Sequence, residues 1–179
     1  MDTPAADRAT ARADVLDDVV LDAFVRAHYD RLTGLARVVC IDPGDAGDAV
    51  QAAFEQAWRR RTTLQDINGL RSWLDRIVVR EAIRQDRRRR SPLARFFGGP
   101  REIPMSIADP AAQQHESMPA LRIAYEQLPV EQRTAIALHL HFGYTVTETA
   151  DLVGAPAETV RSRIRTGRLR LRRLLEDQP

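Results

Sequence analysis

The segment TVTETADLVGAPAETVRSRIRTGRLRLRRLL, residues 145–175, leaves the chain little choice of fold. Thr145 stands before a short apolar-periodic run and Glu148 follows three residues later, the spacing of a helix capping box. Ala150 is small, as the crossing point of two close helices requires. Gly154 falls where a tight turn needs a residue free to take positive φ. Pro156 falls in the first turn of the next helix, where its missing N–H costs nothing. Two helices joined by a glycine turn make a helix-turn-helix. In the second helix Val160, Ile164, Leu171, Leu174 and Leu175 recur at helical intervals, while arginine fills many of the places between them. The apolar stripe seats the helix and leaves the arginines outward. In such a unit the second helix lies in the DNA major groove and turns its N-terminal residues to base edges. The residues expected there are Glu158, Thr159, Arg161, Ser162, Arg165 and Arg168. Arg172 and Arg173 stand too far along to reach bases, and suit phosphate contact or solvent.

The rest of the chain repeats the same periodicity. Apolar residues spaced three and four apart predict helices over residues 14–40, 45–61 and from about 68 into the arginine run near 90. Further helices are expected in ALRIAYEQL and in VEQRTAIALHLHF, the latter ended by Gly143. No alternating pattern predicts a strand, so the fold class is all-α. Between Ser91 and Met118 the composition changes to several prolines and a pair of adjacent glycines, with little periodicity. That stretch is too long for an ordinary connection. The chain therefore reads as two small helical domains, 14–91 and 118–177, joined by a flexible linker over 92–117.

Charge sharpens this division. The formal net charge of +2 conceals a strong asymmetry, and all 27 of the Lys+Arg residues are arginine. From Arg59 to Arg95 there are twelve arginines against four acids, a local excess of +8. Such a stretch supplies salt-dependent phosphate affinity, and an aromatic such as Trp73 can stack an unpaired base. The spacing of Trp73 with Leu70, Ile77 and Val78 suits a core position equally well. Basic patches alone do not choose between DNA and RNA. The helix over 45–61 differs: Asp45, Asp48, Gln51 and Glu55 share a face that repels phosphate and fits a protein partner, while Val50, Ala53, Phe54, Ala57 and Trp58 line the other. Acids near a helix N-terminus are also favourable in themselves.

Several function classes fall away. One cysteine, Cys40, allows no internal disulfide and no cysteine-built zinc site, and its apolar surroundings suggest a buried, inert thiol. No apolar run approaches a membrane span, and the acidic N-terminus resembles no signal peptide. A cytoplasmic protein without membrane insertion is expected. His139 and His141 are two apart and point to different sides of a helix, so no metal pair is expected. No carboxylate pair, phosphate loop or nucleophile motif is visible, so neither an enzyme nor a cofactor is expected.

Taken together, the motifs resemble a bacterial RNA polymerase sigma factor of the extracytoplasmic-function class, group four, which keeps only sigma regions two and four. In region four, Leu128, Pro129, Arg133, Gly143, Glu148, Ala150, Gly154, Thr159, Val160, Arg161, Ser162 and Arg163 fit the family pattern. In region two, DAGDAVQAAF is similar to the usual DAEDLVQEVF, and RSWLDRIVVREAIRQDRRRR to the usual RAWLxRIARNLALDxxRRxR. Gly47, Ala49 and Ala52 depart from that pattern and thin the polymerase-facing helix. Arg80, Arg84, Glu158 and Thr166 also depart from it. The resemblance implies that core RNA polymerase is bound through Asp45, Asp48, Gln51, Glu55 and Trp58. Region four would read duplex promoter DNA at the −35 element. Region two would melt the −10 element and hold the unpaired non-template strand through Asn68, Arg71, Ser72, Trp73, Arg76, Arg80, Arg84, Arg87 and Arg88. An anti-sigma factor is a further partner to expect. The competing reading is a stand-alone helix-turn-helix regulator that binds DNA as a dimer; the acidic helix and the linker count against it.

Overall fold

The computed structural model describes residues 17–90 and 119–177. The expected linker, and the expected starts of the two domains at residues 14 and 118, lie outside them. Asp17 opens helix α1 (Asp18–Val39) by accepting from the Val19 N–H at 3.4 Å. Asp42 caps α2 (Pro43–Arg60), accepting from Gly44 N–H at 2.7 Å. Pro43 sits in the first turn of α2, so that helix begins two residues before its expected start. Single 3₁₀ turns at Arg61–Thr63 and Ile67–Gly69 lead into α3 (Leu70–Arg89). The second half contains α4 (Pro119–Glu126), α5 (Val130–Ile136), α6 (Val146–Val153) and α7 (Ala157–Glu176). Every regular element among the described residues is helical.

The expected helix after Pro129 is interrupted. Ala137–His141 forms a π-helical turn in which the Phe142 N–H reaches back five residues to the Ala137 carbonyl at 3.0 Å. Gly143 then takes φ +74°. His139 Nδ1 donates to the Tyr144 carbonyl at 2.7 Å.

Helices α1 to α3 pack around Leu32, Leu35, Val39, Val50, Leu74, Val78 and Val79, each at most 1% exposed. Burying side chains of this size stabilises by about 1.5–3 kcal/mol each. Helix α2 brings only small residues, Ala46, Ala49, Ala53 and Ala57, together with Val50, to this core. One expectation changes here: Trp58 is 44% exposed rather than part of the apolar face. A residue turned 100° further round the helix than its neighbour changes side, and Trp58 follows the last buried alanine, Ala57.

The two halves share a core. Val130, Leu138 and Leu152 of the second half join the apolar cluster of α1–α3. A smaller cluster of Ala135, Ala150, Val160 and Ile164 lies beneath the helix-turn-helix. Gly154 has φ +70°, as the turn demands. Gly167 lets α7 close on α5: a Cβ there would stand 2.7 Å from Ile136 Cδ1 and 3.1 Å from Gln132 Cβ.

Buried ionic groups join the halves. Arg133, 1% exposed, donates to the Val39 carbonyl, the Leu128 carbonyl and Asp86 Oδ1, the last at 2.6 Å. Burial pulls its guanidinium below the ordinary value, and the Asp86 carboxylate only partly restores it. Asp75, also 1% exposed, takes a two-pronged grip from Arg31 at 2.9 and 2.6 Å and a third bond from the Tyr144 hydroxyl at 2.8 Å. Burial, then the bond to Asp75, pushes the Tyr144 phenol up to about 12.

Candidate nucleic-acid and polymerase interfaces

The second helix of the helix-turn-helix is seated as its spacing requires. The capping box is complete: Thr145 Oγ1 accepts from the Glu148 N–H at 3.2 Å, and Glu148 accepts from the Thr145 N–H at 2.7 Å. This fixes the angle at which α6 enters, and the Gly154 turn fixes the departure of α7. Val160 is fully buried and Ile164 nearly so, against α6 and α5. Glu158, Arg161, Ser162, Arg165 and Arg168 are exposed on the other side, and Thr159 is half-buried. Arg161 and Glu158 pair at 2.8 Å, with side chains 59% and 82% exposed. Ser162 offers its hydroxyl outward, while its carbonyl accepts from Thr166 Oγ1 at 2.8 Å.

The arginine stripe of α3 is divided. At its start, Asn68 is held by Asp66 through Nδ2 at 3.0 Å, and Ser72 Oγ donates to the Gly69 carbonyl at 3.1 Å. Arg71 beside them is exposed, and Trp73 is half-buried against the core. In the middle, Arg80 donates to the Leu152 and Asp151 carbonyls at 3.1 and 3.0 Å, at the C-terminal end of α6. Arg76 has a buried Nε without a partner among the described residues. Toward the far end, Arg84 pairs with Glu81 at 2.6 Å, and Arg87 pairs with Glu131 of α5 at 2.8 Å. Arg88 is exposed. Ser72 and Arg88, sixteen residues apart, are about 24 Å distant along the helix. One stripe therefore offers an open start and an exposed Arg88 near its far end, with Arg80 and Arg87 engaged by the second half.

The acidic face of α2 is less uniform than its spacing suggests. Asp48, Gln51 and Glu55 are exposed together. Glu55 makes only an exposed pair with Arg59, at 3.1 Å. Asp45 instead turns to α3, where Arg89 bridges it and Asp42 at 2.8 and 2.6 Å. Trp58 adds an exposed aromatic at the end of the face, with the Arg61 guanidinium 5.3 Å from its ring centre.

The buried Asp75, held by Arg31 and Tyr144, and the buried Asp86–Arg133 pair were not legible in the sequence. The acids resemble plain dilution of a basic helix; only their position amid Leu74, Val78 and Ala82 hints that they face inward. Cys40 is buried, its thiol 3.5 Å from the Ala82 carbonyl, as its surroundings suggest. Among the described residues no group of three or more His, Cys, Asp or Glu side chains could hold a metal ion, and no helix is long and apolar enough to cross a membrane.

Residues 8–91 match the Sigma-70 region 2 family, and residues 120–171 match the Sigma-70, region 4 family. The ECF RNA polymerase sigma factor SigM of Mycobacterium tuberculosis is 36% identical over 160 residues, covering 89% of this chain and 79% of that protein. This chain belongs to the ECF RNA polymerase sigma factor family. The RNA polymerase sigma-E factor of Streptomyces coelicolor, 28% identical, covers 84% of this sigma factor and 83% of its own length. Two solved structures share the fold, each at 22% identity and a TM-score of 0.63. One is RpoE with the anti-sigma factor NepR from Bartonella quintana, spanning 88% of this chain and 98% of that one. The other is CnrH with the cytosolic domain of CnrY, spanning 96% of each. The α1–α3 unit is thus region two of the sigma factor and the helix-turn-helix half is region four.

Proposed function

We propose that this sigma factor assigns its two promoter contacts and its polymerase contact to the surfaces described above, within domains spanning 14–91 and 118–177. The protein directs core RNA polymerase to specific promoters and initiates transcription. Arg161, Ser162 and Arg165, with Glu158, Thr159 and Arg168, read the −35 duplex. The observation that carries this is the common exposure of Glu158, Arg161, Ser162, Arg165 and Arg168 over a fully buried Val160. Asn68, Arg71, Ser72 and Trp73 hold an unpaired base of the −10 element. Extruding one base costs a few kcal/mol, which a shaped pocket can offset. Arg76, Arg80, Arg84, Arg87 and Arg88 follow the strand's phosphates. Asp48, Gln51, Glu55 and Trp58 meet the polymerase, and Asp45 supports them from its bridge to Arg89.

In this reading the protein is a regulatory subunit of group four with no catalysis of its own, working in the cytoplasm where the polymerase is. An anti-sigma protein is a fitting partner, as in the two solved complexes of similar fold.

Run-off transcription with core polymerase on a promoter library tests the reading: specific transcripts are expected only when this chain is added. Charge reversal of Asp48 and Glu55 together should weaken capture of core polymerase and leave far-UV circular dichroism unchanged. Undiminished capture would remove the α2 assignment. Duplex footprints obtained without polymerase, on palindromic sites, would favour a stand-alone regulator.

A further inference from the structure

A cleft of about 590 Å³ lies between α3 of region two and the helices α5 to α7 of region four. Arg80, Arg84, Arg87, Arg88 and Arg163 line it, and Glu131 is the one carboxylate among its lining residues. Arg88 and Arg163 have neither an ion pair nor a hydrogen-bond partner among the described residues. Burial and the neighbouring Arg76 charge hold the Arg80 guanidinium below its ordinary value, so positive charge is crowded here. Thr134 of α5 lies fully buried beneath the cleft, and its Oγ1 has no partner among the described residues.

We propose that this cleft binds the phosphate chain of a small polyphosphate anion. Arg88 and Arg163 would supply charge from opposite walls, and Arg84 and Arg87 would share their guanidinium groups with Glu81 and Glu131. The volume suits a ligand of nucleotide size, and because Arg80, Arg84, Arg87 and Arg88 are also the residues assigned to the −10 strand, the ligand and the strand compete for them. Because the walls come from regions two and four, the ligand binds only while the two are packed together. It therefore stabilises that arrangement by mass action and opposes whatever requires them apart.

Isothermal titration of the full chain with inorganic triphosphate, at fixed ionic strength, tests this. One saturable site is expected. Arg163→Gln should weaken it about tenfold, the effect of losing one charge-assisted bond. Arg172→Gln loses the same charge outside the cleft and should leave triphosphate affinity unchanged. A nucleoside triphosphate run alongside separates the sources: equal affinity assigns the site to the phosphate chain alone, and tighter binding assigns it to a nucleotide. Absence of saturable binding, or equal weakening by Arg172→Gln, overturns the proposal.

Discussion

Arg161 begins in a pair with Glu158, and that pair must open before the guanidinium can fork onto a base. Both side chains are mostly exposed, so the pair is worth only about 0.2–1 kcal/mol. A forked contact to guanine O6 and N7 is worth about 1–3 kcal/mol of discrimination, so DNA wins the competition. Arg161→Ala should therefore lose −35 duplex affinity and blur preference at one or two base positions. Arg172, three turns further along, should weaken all sequences alike when replaced by alanine, and lower the salt slope by no more than about one. Titrating both variants against single-base changes of the selected duplex distinguishes them; identical, sequence-independent losses would make α7 a phosphate clamp. Cys40 sets a different test. Burial, then the Asp86 and Asp45 charges, raise its thiol from 9.0 to about 12. The folded chain thus keeps a proton that the unfolded chain releases, so stability is intact below pH 9 and falls as pH climbs toward 12. Tyr144 adds to the fall from pH 10 upward. Cys40→Ala should flatten the first part of this decline in melting temperature against pH, and an unchanged slope would remove the thiol as its cause.

At the scale of elements, α7 depends on how closely it lies to α5. Alanine at position 167 would meet Ile136 Cδ1, which can swing away, and Gln132 Cβ, which the backbone holds in place. Gly167→Ala should cost about 1–3 kcal/mol by overpacking, read as a lower urea midpoint with unchanged slope. A variant as stable as the parent would mean that α7 tilts freely. The sequence makes some elements plain because their causes are local. Thr145, Glu148, Gly154 and Pro156 act within one turn of themselves, so the helix-turn-helix is legible from residue types alone. The α2 boundary is shifted by two residues because Asp42 and Pro43 start the helix before Asp45, the first acid of its expected face. The π turn and the Gly167 contact were illegible: the first has no local breaker until Gly143, and the second exists only once α5 is in place. The polar joints were hidden for the same reason. Asp75 finds Arg31 across 44 residues and Asp86 finds Arg133 across 47, and nothing in a linear pattern announces which acid will be buried with which arginine.

Across the whole molecule, regions two and four are held by a buried charge pair whose removal should be asymmetric. Arg133→Met leaves Asp86 buried without its main partner and should cost about 3 kcal/mol or more. Arg90, whose Nε lies 3.1 Å from Asp86 Oδ2, keeps this near the lower end of the expected range. Replacing both, Arg133→Met with Asp86→Leu, should recover most of the loss. Urea unfolding of the single and double variants measures the difference, and equal losses would show that the pair carries no mutual energy. The same packing engages Arg80 and Arg87 with region four, so the middle of the α3 stripe and the helix-turn-helix cannot be altered independently. Many of the acceptors in these joints are main-chain carbonyls: Val38 and Val39 at the end of α1, Glu126 in α4, Asp151 and Leu152 in α6. Every amino acid carries a carbonyl, so substitutions at those five positions leave these acceptors present. The donors are Tyr125, Arg133, Arg90 and Arg80, and no other side chain replaces their reach and geometry. Mutational tolerance should therefore be lopsided: saturation libraries screened for folding should accept broad variation at Glu126 and Asp151, apolar residues at Val39 and Leu152 because their side chains sit in the core, and almost none at the tyrosine and the buried arginine that face these carbonyls.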